Sequence, residues 1–377
     1  MSQRDVVSTL KYAIKRRIFP SSSHYTWYCG HTLPSLSRLL RKFRKCFFAI
    51  SKKLSLNRYF GGMDIFFSHK TALEDWQKYR QGAIAETRPV RARPPSTPPD
   101  TRGLRIDTSL GLTKPLHILV ENANARKVSK GIVSHYWAGP FTRGCFFESA
   151  DGYLVSSPEL CFLQMAGQLS FTRLIKLAYE FCGTYVLNPE SPKGFDVCEP
   201  LTTVAKLLSF LRKMKGVHGI KRALRVLKYT KDQAASPMET VVTLCLTLPY
   251  RLGGYGFAAP KLNARIEPNR LTRGTANKQC YYCDLYWHEA RFAVEYDSNA
   301  HHTGADRIAN DSVRRNTLAL MGIKVVSVTS RQINSREETR KLALLLSKYL
   351  DKPLQYQEPE FTRRCIELRK ELFSGSF

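Results

Sequence analysis

The alternation of apolar and polar positions after residue 279 predicts a β-hairpin. Period-two alternation indicates one strand at residues 280–286 and a second at residues 291–297, with a short turn at residues 287–290 between them. If Tyr286 pairs with Arg291, Asp284 lies opposite Ala293 in this hairpin. Because the side-chain period of a strand is two, this arrangement depends on a turn with an even number of residues.

The segment that follows the hairpin predicts a helix and a third strand. Residues 304–321 are charged on one side and apolar on the other, and Gly322 is placed to end the helix. The apolar run at residues 323–328 predicts a buried strand. Because this order is a crossover, we expect the strand to lie parallel to its neighbour. An amphipathic helix at residues 336–350 is placed to cover one face of this α/β core.

Upstream of the hairpin, the pattern indicates short strands and amphipathic helices. A short helix at residues 71–81 leads into a proline-rich connector, which we expect to be extended and semi-rigid. The region beyond it is expected to be a smaller α+β domain. Its strands are predicted at residues 116–120, 131–137, 145–148 and 152–155, and its helices at residues 158–168, 174–183, 202–215 and 217–229.

The hairpin carries a cluster of acidic residues. With the expected pairing, Asp284, Glu295 and Asp297 project from one face at the same end of the sheet. Three neighbouring carboxylates repel one another unless a cation binds them. Mg²⁺ prefers oxygen ligands and can activate water for phosphodiester hydrolysis, with Mn²⁺ as the substitute ion. The alternative is an edge hairpin whose acids face solvent.

Glu239 allows two interpretations. Ser236, Pro237 and Glu239 precede an apolar run with the spacing of a capping box, so helix capping alone accounts for this glutamate. The other interpretation, which only the family resemblance described next implies, makes Glu239 a metal ligand together with Asp284 and Glu295.

These motifs together resemble the PD-(D/E)XK, or restriction-endonuclease-like, superfamily, in the branch of the very short patch repair endonucleases. The matching pieces are Ser236 to Glu239, Asp284, Glu295-Tyr296-Asp297, His301-His302, Asp311 with Arg314 and Arg315, and the run from Gly322 to Thr329. The resemblance implies a restriction-endonuclease-like mixed sheet flanked by helices at residues 233–352. The part before it resembles, mostly in layout, bacterial proteins related to abortive-infection antitoxins.

The sequence departs from the superfamily pattern at two positions. Asp297 stands where many members have a lysine, and Ser298 stands where glycine is expected. The resemblance to the patch repair enzymes implies a histidine as the general base instead, and the unperturbed pKa of histidine, near neutrality, suits that role. Both His301 and His302 qualify, and His302 is preferred. Each is also explained as a surface residue at the end of a strand.

The cysteines predict a reduced protein without a zinc site. Cys280 and Cys283 form a C-x-x-C pair, but no second pair accompanies them and a strand would turn them to opposite faces. The ten cysteines lack a secretory signal, so we expect free thiols in a cytoplasmic protein.

The 377-residue chain has a formal charge of +28, which favours a polyanionic partner such as DNA. Residues 1–62 contain thirteen Lys and Arg against one acid, and they have neither a signal peptide nor a membrane-spanning run. We expect this extension to be a disordered arm or a translated leader upstream of a start at Met63. Residues 35–54 alternatively predict a basic amphipathic helix.

The sequence thus predicts five segments: a basic extension (1–62), a short helix and linker (63–100), an α+β accessory domain (101–232), the endonuclease-like domain (233–352) and a charged tail (353–377). The expected function is Mg²⁺-dependent DNA cleavage, with Asp297 supporting the metal ligands Glu239, Asp284 and Glu295, and with Arg314, Arg315 and Lys324 contacting nucleic acid. The alternative is a DNA-binding or antitoxin-like regulatory protein that retains the fold without cleavage. Cutting both strands would call for two sites, for which a dimer is one solution.

Overall fold

The computed structural model contains two mixed β-sheets and ten α-helices in the part of the chain that it describes, namely residues 65–82, 87–94, 111–126, 128–129, 131–149, 152–297 and 305–374. The predictions for residues 1–62, Met63, Ser298, His301 and His302 lie outside these residues. Across the described residues, no helix combines the length and the apolar composition that crossing a bilayer requires. The sequence-based expectation of a mixed α/β chain is confirmed.

The N-terminal sheet has seven strands, in the order β2-β6-β7-β1-β3-β5-β4. The pairs β1/β7 and β3/β5 are parallel and the other neighbours are antiparallel. The strands are β1 (Phe66–Phe67), β2 (Arg88–Val90), β3 (Leu116–Val120), β4 (Val128–Ser129), β5 (Ile132–Tyr136), β6 (Phe146–Glu148) and β7 (Leu154–Ser156).

The segment expected to be a helix and a linker contributes to this sheet. Helix α1 (His69–Arg80) forms where predicted, but it is preceded by β1 and followed by β2. Strands of two and three residues are too short to produce a readable alternation. Pro89 lies in the edge strand β2, where the missing backbone N–H is tolerated.

Four helices and a small hairpin follow the sheet. Ser157, Ser170 and Thr203 begin α2, α3 and α4 by accepting a hydrogen bond from the backbone N–H three residues later. The helices are α2 (Pro158–Ala166), α3 (Phe171–Cys182), α4 (Val204–Lys213) and α5 (Ile220–Leu227), and the hairpin pairs β8 (Tyr185–Leu187) with β9 (Phe195–Val197). Their apolar faces fill the main core with α1.

The C-terminal sheet has the order β10-β11-β12-β13. Neighbours are antiparallel except β12 and β13, which are parallel, as the crossover predicts. The elements are α6 (Pro237–Thr247), β10 (Lys261–Ile266), β11 (Tyr281–Trp287), β12 (Phe292–Asp297), α7 (Ala305–Leu320) and β13 (Lys324–Thr329).

The hairpin register differs by two residues from the expected one. Tyr286 pairs with Ala293 rather than with Arg291, and the turn occupies residues 288–291. Arg291 has a φ of 47°, so the turn uses the left-handed region that the sequence did not indicate. Because the turn still has an even number of residues, the paired residues next to it, 285–287 and 292–294, keep their expected faces.

The segment expected to be a charged tail contains a packed helix. After α8 (Ser330–Asn334) and α9 (Arg336–Tyr349), helix α10 (Glu360–Leu372) returns to the main core and buries Phe361, Leu368 and Leu372. Gly253 shows how closely α10 packs, since a Cβ on this glycine would lie 2.3 Å from the carbonyl oxygen of Arg364. Apart from the buried Arg369, the charged residues of this helix lie at positions outside its apolar stripe, and they concealed that stripe in the sequence.

Three histidines stack beside one another at α1 and the N-terminal sheet. His117 Nδ1 lies 2.8 Å from His135 Nε2, and the rings of His69 and His135 have centroids 3.8 Å apart. Burial, followed by the charges of His117 and Arg126, lowers the pKa of His135 to about 4. Burial also lowers the pKa of His69 and of His117, where Lys70 lowers it further and Glu74 opposes the shift. The cluster is therefore neutral at pH 7.

We expect the free energy of unfolding to fall as the pH decreases from about 6.5 to about 4. In this range the unfolded chain binds protons on histidine while the folded cluster does not, so the unfolded state binds more protons and stability is lost on acidification. Urea unfolding at a series of pH values measures the slope. His135→Gln should flatten it, whereas His218→Gln, a change at an exposed histidine, should not. A His135→Gln profile parallel to that of the wild type would contradict this prediction.

Candidate functional site

The N-terminus of α6 places Glu239 as its sequence predicts. Ser236 has extended backbone angles and its Oγ accepts a hydrogen bond from the Glu239 N–H at 3.1 Å, with Pro237 in the first turn. Such an N-cap contributes about 1 kcal/mol. The Glu239 carboxylate does not close the capping box on Ser236. Its Oε2 instead accepts from the backbone N–H of Ala235, at 2.9 Å.

Beside this helix, the side chains of β10 and β11 change the face of the sheet on which they lie. Leu285 packs into the main core, whereas Cys283, two residues earlier, packs into a separate cluster that includes Leu318 of α7. Alternate residues of a regular strand share a face, so the chain twists between these positions. Asn263 lies opposite Asp284 at this point and has a φ of 44°, which asparagine tolerates better than most residues.

Asn263 connects the twist to α6. Its Nδ2 donates to the carbonyl oxygen of Gln233 at 2.8 Å and contacts Glu239 Oε2 at 3.3 Å. The glutamate on the helix and the aspartate on the strand are thus held at one place by an amide side chain between them.

Glu239 and Asp284 each use one carboxylate oxygen within the protein. Asp284 Oδ2 accepts from the backbone N–H of Tyr296 at 2.8 Å, and Glu239 Oε2 takes the two contacts described above. Within the described residues, Asp284 Oδ1 has no hydrogen-bond partner, and besides the contacts of Glu239 Oε2 only the Ser236 hydroxyl interacts with the Glu239 carboxyl, whose pKa it lowers. One oxygen of each carboxyl is therefore available to a ligand.

The two carboxyl groups also disfavour each other's charge. Burial raises the pKa of Glu239 to about 7, and the charge of Asp284 adds to this shift. Burial raises the pKa of Asp284 to about 6, with Glu295 adding to the shift and the Tyr296 N–H opposing it. Such a pair releases its protons readily when a cation binds between the carboxylates.

Glu295, the third predicted ligand, forms an ion pair. Arg314 Nη1 donates to Glu295 Oε2 at 2.6 Å, Arg314 Nη2 binds Glu295 Oε1, and the same Nη2 donates to the Tyr282 carbonyl oxygen at 2.6 Å. Both side chains are largely buried. This bidentate contact occupies both carboxylate oxygens of Glu295. It also occupies the guanidinium of Arg314, which the sequence analysis predicted to contact the phosphate of the nucleic acid.

The remaining predicted site residues make no described contact with Glu239 or Asp284. Asp297 is exposed at the end of β12. Arg315 is exposed and its Nε donates to the Asp311 carbonyl oxygen within α7. Lys324 pairs with Phe292 at the other end of β13, whereas Glu295 pairs with Ser327. The structure thus brings Glu239, Asp284, Glu295 and Arg314 together and leaves Arg315 and Lys324 outside this group.

Asn263 is the site residue that the sequence analysis missed. The signal was present, because Leu262, Ala264 and Ile266 alternate with polar residues and indicate a strand. An asparagine inside such a strand points to a local left-handed residue. The partner of its amide depends on the tertiary fold.

The donor set fits a hard divalent cation that is completed by substrate and water. Among the residues that the structure describes, no group of three or more His, Cys, Asp or Glu side chains is arranged to hold a metal ion. Mg²⁺, however, commonly binds one or two carboxylates and retains waters or phosphate oxygens for its other positions. The two available oxygens of Glu239 and Asp284 meet that requirement.

Comparison with family models, curated proteins and solved structures found no match to this chain.

We expect Glu239→Gln to stabilise the protein at pH 8 without divalent ions, by on the order of 1–3 kcal/mol. The raised pKa means that ionisation of Glu239 lowers stability as the pH rises from about 4.5 to about 7, and glutamine removes that charge while keeping an acceptor for the Ala235 N–H. Urea unfolding in EDTA at pH 8 and pH 5 measures the effect, with the exposed Glu190→Gln as control. Equal destabilisation at both pH values would be inconsistent with the electrostatic account.

We expect Arg314→Met to reduce the free energy of unfolding by roughly 2 kcal/mol, because it leaves the Glu295 carboxylate unpaired and largely buried. Arg315→Met, one residue further along the same helix, removes an exposed arginine and is the matched control. Its effect should stay within about 0.5 kcal/mol. A similar decrease in the free energy of unfolding of both variants would show that the ion pair does not stabilise the fold.

Proposed function

We propose that this protein is a Mg²⁺-dependent endonuclease that hydrolyses DNA phosphodiester bonds. The observation that carries the proposal is the pair of buried carboxyl groups on Glu239 and Asp284, each with a raised pKa and one available oxygen. Burying two mutually repelling acids lowers stability unless the pair serves a ligand. A divalent cation supplies the compensating charge.

The order of elements supports the same proposal. A helix with a glutamate near its start, an antiparallel hairpin with an aspartate and a glutamate, and a crossover helix leading to a parallel strand follow one another here. This is the order implied by the resemblance to the restriction-endonuclease-like superfamily and its very short patch repair branch. We infer that the C-terminal sheet has this fold.

In the proposed reaction, Glu239 and Asp284 hold Mg²⁺, with Mn²⁺ as a substitute. The ion supplies charge neutralisation at the phosphodiester and lowers the pKa of bound water. Arg314 binds both carboxylate oxygens of Glu295 and fixes this side chain beside Asp284. His302, or its neighbour His301, follows β12 and is the proposed acceptor of the proton from water. Asp297 at the strand end is the proposed support for this arrangement.

A second candidate is a DNA-binding or antitoxin-like regulatory protein without cleavage activity. The ion pair between Glu295 and Arg314 favours it, because this pair leaves two of the three predicted metal ligands available. Asp297 in the position of the superfamily lysine favours it as well. The available oxygens on Glu239 and Asp284 favour the enzyme, since a pure binder gains nothing from acids that repel a DNA backbone.

The cysteines support a cytoplasmic location for either candidate. All eight cysteines among the described residues are free thiols, and six of them are buried. Buried free thiols persist most readily in a reducing compartment. If both DNA strands are cut, we propose that two copies of the chain act together.

We expect the wild-type protein to cut supercoiled plasmid with Mg²⁺ or Mn²⁺ and to be inactive in EDTA. Asp284→Asn removes one metal ligand with little change in shape, so cleavage should fall by about a thousandfold, equivalent to about 4 kcal/mol in the barrier. Asp351→Asn, at an exposed position with a φ of 46° that asparagine accepts, is the control.

Metal binding provides a readout that does not depend on cleavage. Mg²⁺ should raise the melting temperature of the wild type and of Asp351→Asn, and it should leave Asp284→Asn and Glu239→Gln unchanged. Because both carboxyls must lose a proton to bind the ion, the Mg²⁺ affinity should increase between pH 6 and pH 8. Metal-independent cutting, or cutting that survives in Asp284→Asn, would rule out this site.

A further inference from the structure

Helices α4 and α5 form a surface with an unusual charge composition. Residues 200–231 contain nine Lys and Arg and no Asp or Glu. We call residues 204–231 the basic hairpin. Its cationic side chains are Lys206, Arg212, Lys213, Lys215, Lys221, Arg222, Arg225, Lys228 and Lys231, and all nine are exposed.

The helices separate their apolar and cationic residues completely. Leu207 and Leu211 of α4 are buried, as are Val226 and Leu227 of α5, and all four belong to the main core. The lysines and arginines occupy the opposite faces at helical spacing. The apolar side of each helix is therefore already packed, and the exposed side is polar.

Two of the nine cations fix α5 to the core. Arg222 Nη1 donates to the carbonyl oxygens of Ala166 and Leu169, at 3.1 and 2.8 Å, and the guanidinium of Arg225 lies 5.0 Å from the centre of the Phe171 ring. Within the described residues, the other seven cations form no ion pair with an acidic side chain. Their charge is unneutralised and faces solvent.

The basic hairpin leads directly into the candidate site. Ala235 lies four positions after Lys231, so their Cα atoms lie at most about 15 Å apart. Ala235 donates its N–H to Glu239, and Gln233 accepts from Asn263. Asp232 Oδ1 accepts from the Val204 N–H at 2.8 Å and joins the two ends of the basic hairpin. A long anion lying on these cations would therefore pass close to the two carboxyls.

The surface suits duplex nucleic acid better than a membrane or a single strand. A helix that lies in a bilayer interface needs an unburied apolar face, and no large apolar side chain of residues 204–231 is among the exposed ones. Single-strand binding relies on exposed aromatic side chains for base stacking, and Phe210 and Tyr229 pack against the core instead. Phosphate contacts require cations alone.

We infer that the basic hairpin is the surface on which the protein binds the phosphate backbone of double-stranded DNA, independently of sequence, and by which it delivers the duplex to Glu239 and Asp284. The inference rests on the proposed function for the identity of the nucleic acid. Its binding step does not require the metal or the cleavage reaction.

The test is the binding of a labelled random-sequence duplex of about 30 base pairs to the full chain in EDTA, over a series of salt concentrations. One variant carries glutamine at five exposed lysines of the basic hairpin: Lys206, Lys213, Lys215, Lys221 and Lys228. The control carries the same change at five exposed lysines elsewhere: Lys193, Lys278, Lys341, Lys348 and Lys370. Both variants lose the same charge, and both retain residues 1–62, so their comparison isolates the surface.

The variant of the basic hairpin should bind the duplex at least about 100-fold more weakly than the control variant near 0.1 M salt, with a salt dependence reduced by up to about four units in the logarithmic slope. Circular dichroism and melting curves confirm that both variants fold. Equal losses in the two variants would overturn the inference. So would wild-type preference for a single strand of the same length, or for vesicles containing phosphatidylserine.

Asp284→Asn separates this inference from the proposed function. It should bind the duplex at least as tightly as the wild type does, because it leaves the basic hairpin intact and removes a carboxyl that repels the DNA backbone. Binding that depends on the basic hairpin without any cleavage by the wild type would retain the inference and remove the nuclease. Cleavage by the wild type that does not depend on the basic hairpin would retain the nuclease and remove the inference.

Discussion

The electrostatic conflict between Glu239 and Asp284 is the constraint around which the C-terminal half is organised. Each carboxyl lies at a junction, one at the first turn of α6 and the other at the twist of β11, and Asn263 holds the two elements together. Backbone N–H groups of Ala235 and Tyr296 satisfy part of each carboxylate. The helix and the sheet thus meet at a point where charge is stabilised incompletely.

Among the described residues, Arg314 brings positive charge to this acidic point. Arg314 pairs with Glu295 and offsets part of the negative charge around Asp284. On the scale of the molecule the excess charge is +28, and the basic hairpin concentrates part of it near the start of α6. In the proposed function, the basic hairpin would bind the polyanion and the acidic site would bind the divalent cation next to it.

Features set by neighbouring residues, such as helix caps and strand direction, were predictable from the sequence, whereas contacts between side chains far apart in the sequence were not. Ser236 and the parallel strand β13 follow from capping and crossover rules that act within a few dozen residues. The hairpin register was two residues off because the left-handed Arg291 has no marker, yet the assignment of faces next to the turn was correct. The pairing of Arg314 with Glu295 and the contacts of Asn263 depend on tertiary packing. Strands β1 and β2 are too short to leave a periodic signal.

Helix α10 contacts elements from both halves of the described chain. Arg369 is buried and donates to the Ile333 carbonyl oxygen at 2.5 Å and to Thr339 Oγ1 at 3.2 Å, while Ser170 of α3 donates to Glu371 at 3.1 Å. The same apolar core therefore contains side chains from both sheets. The C-terminal sheet is therefore not expected to fold when it is transferred alone to another protein. Without the helices that cover it, its apolar face would be exposed to water.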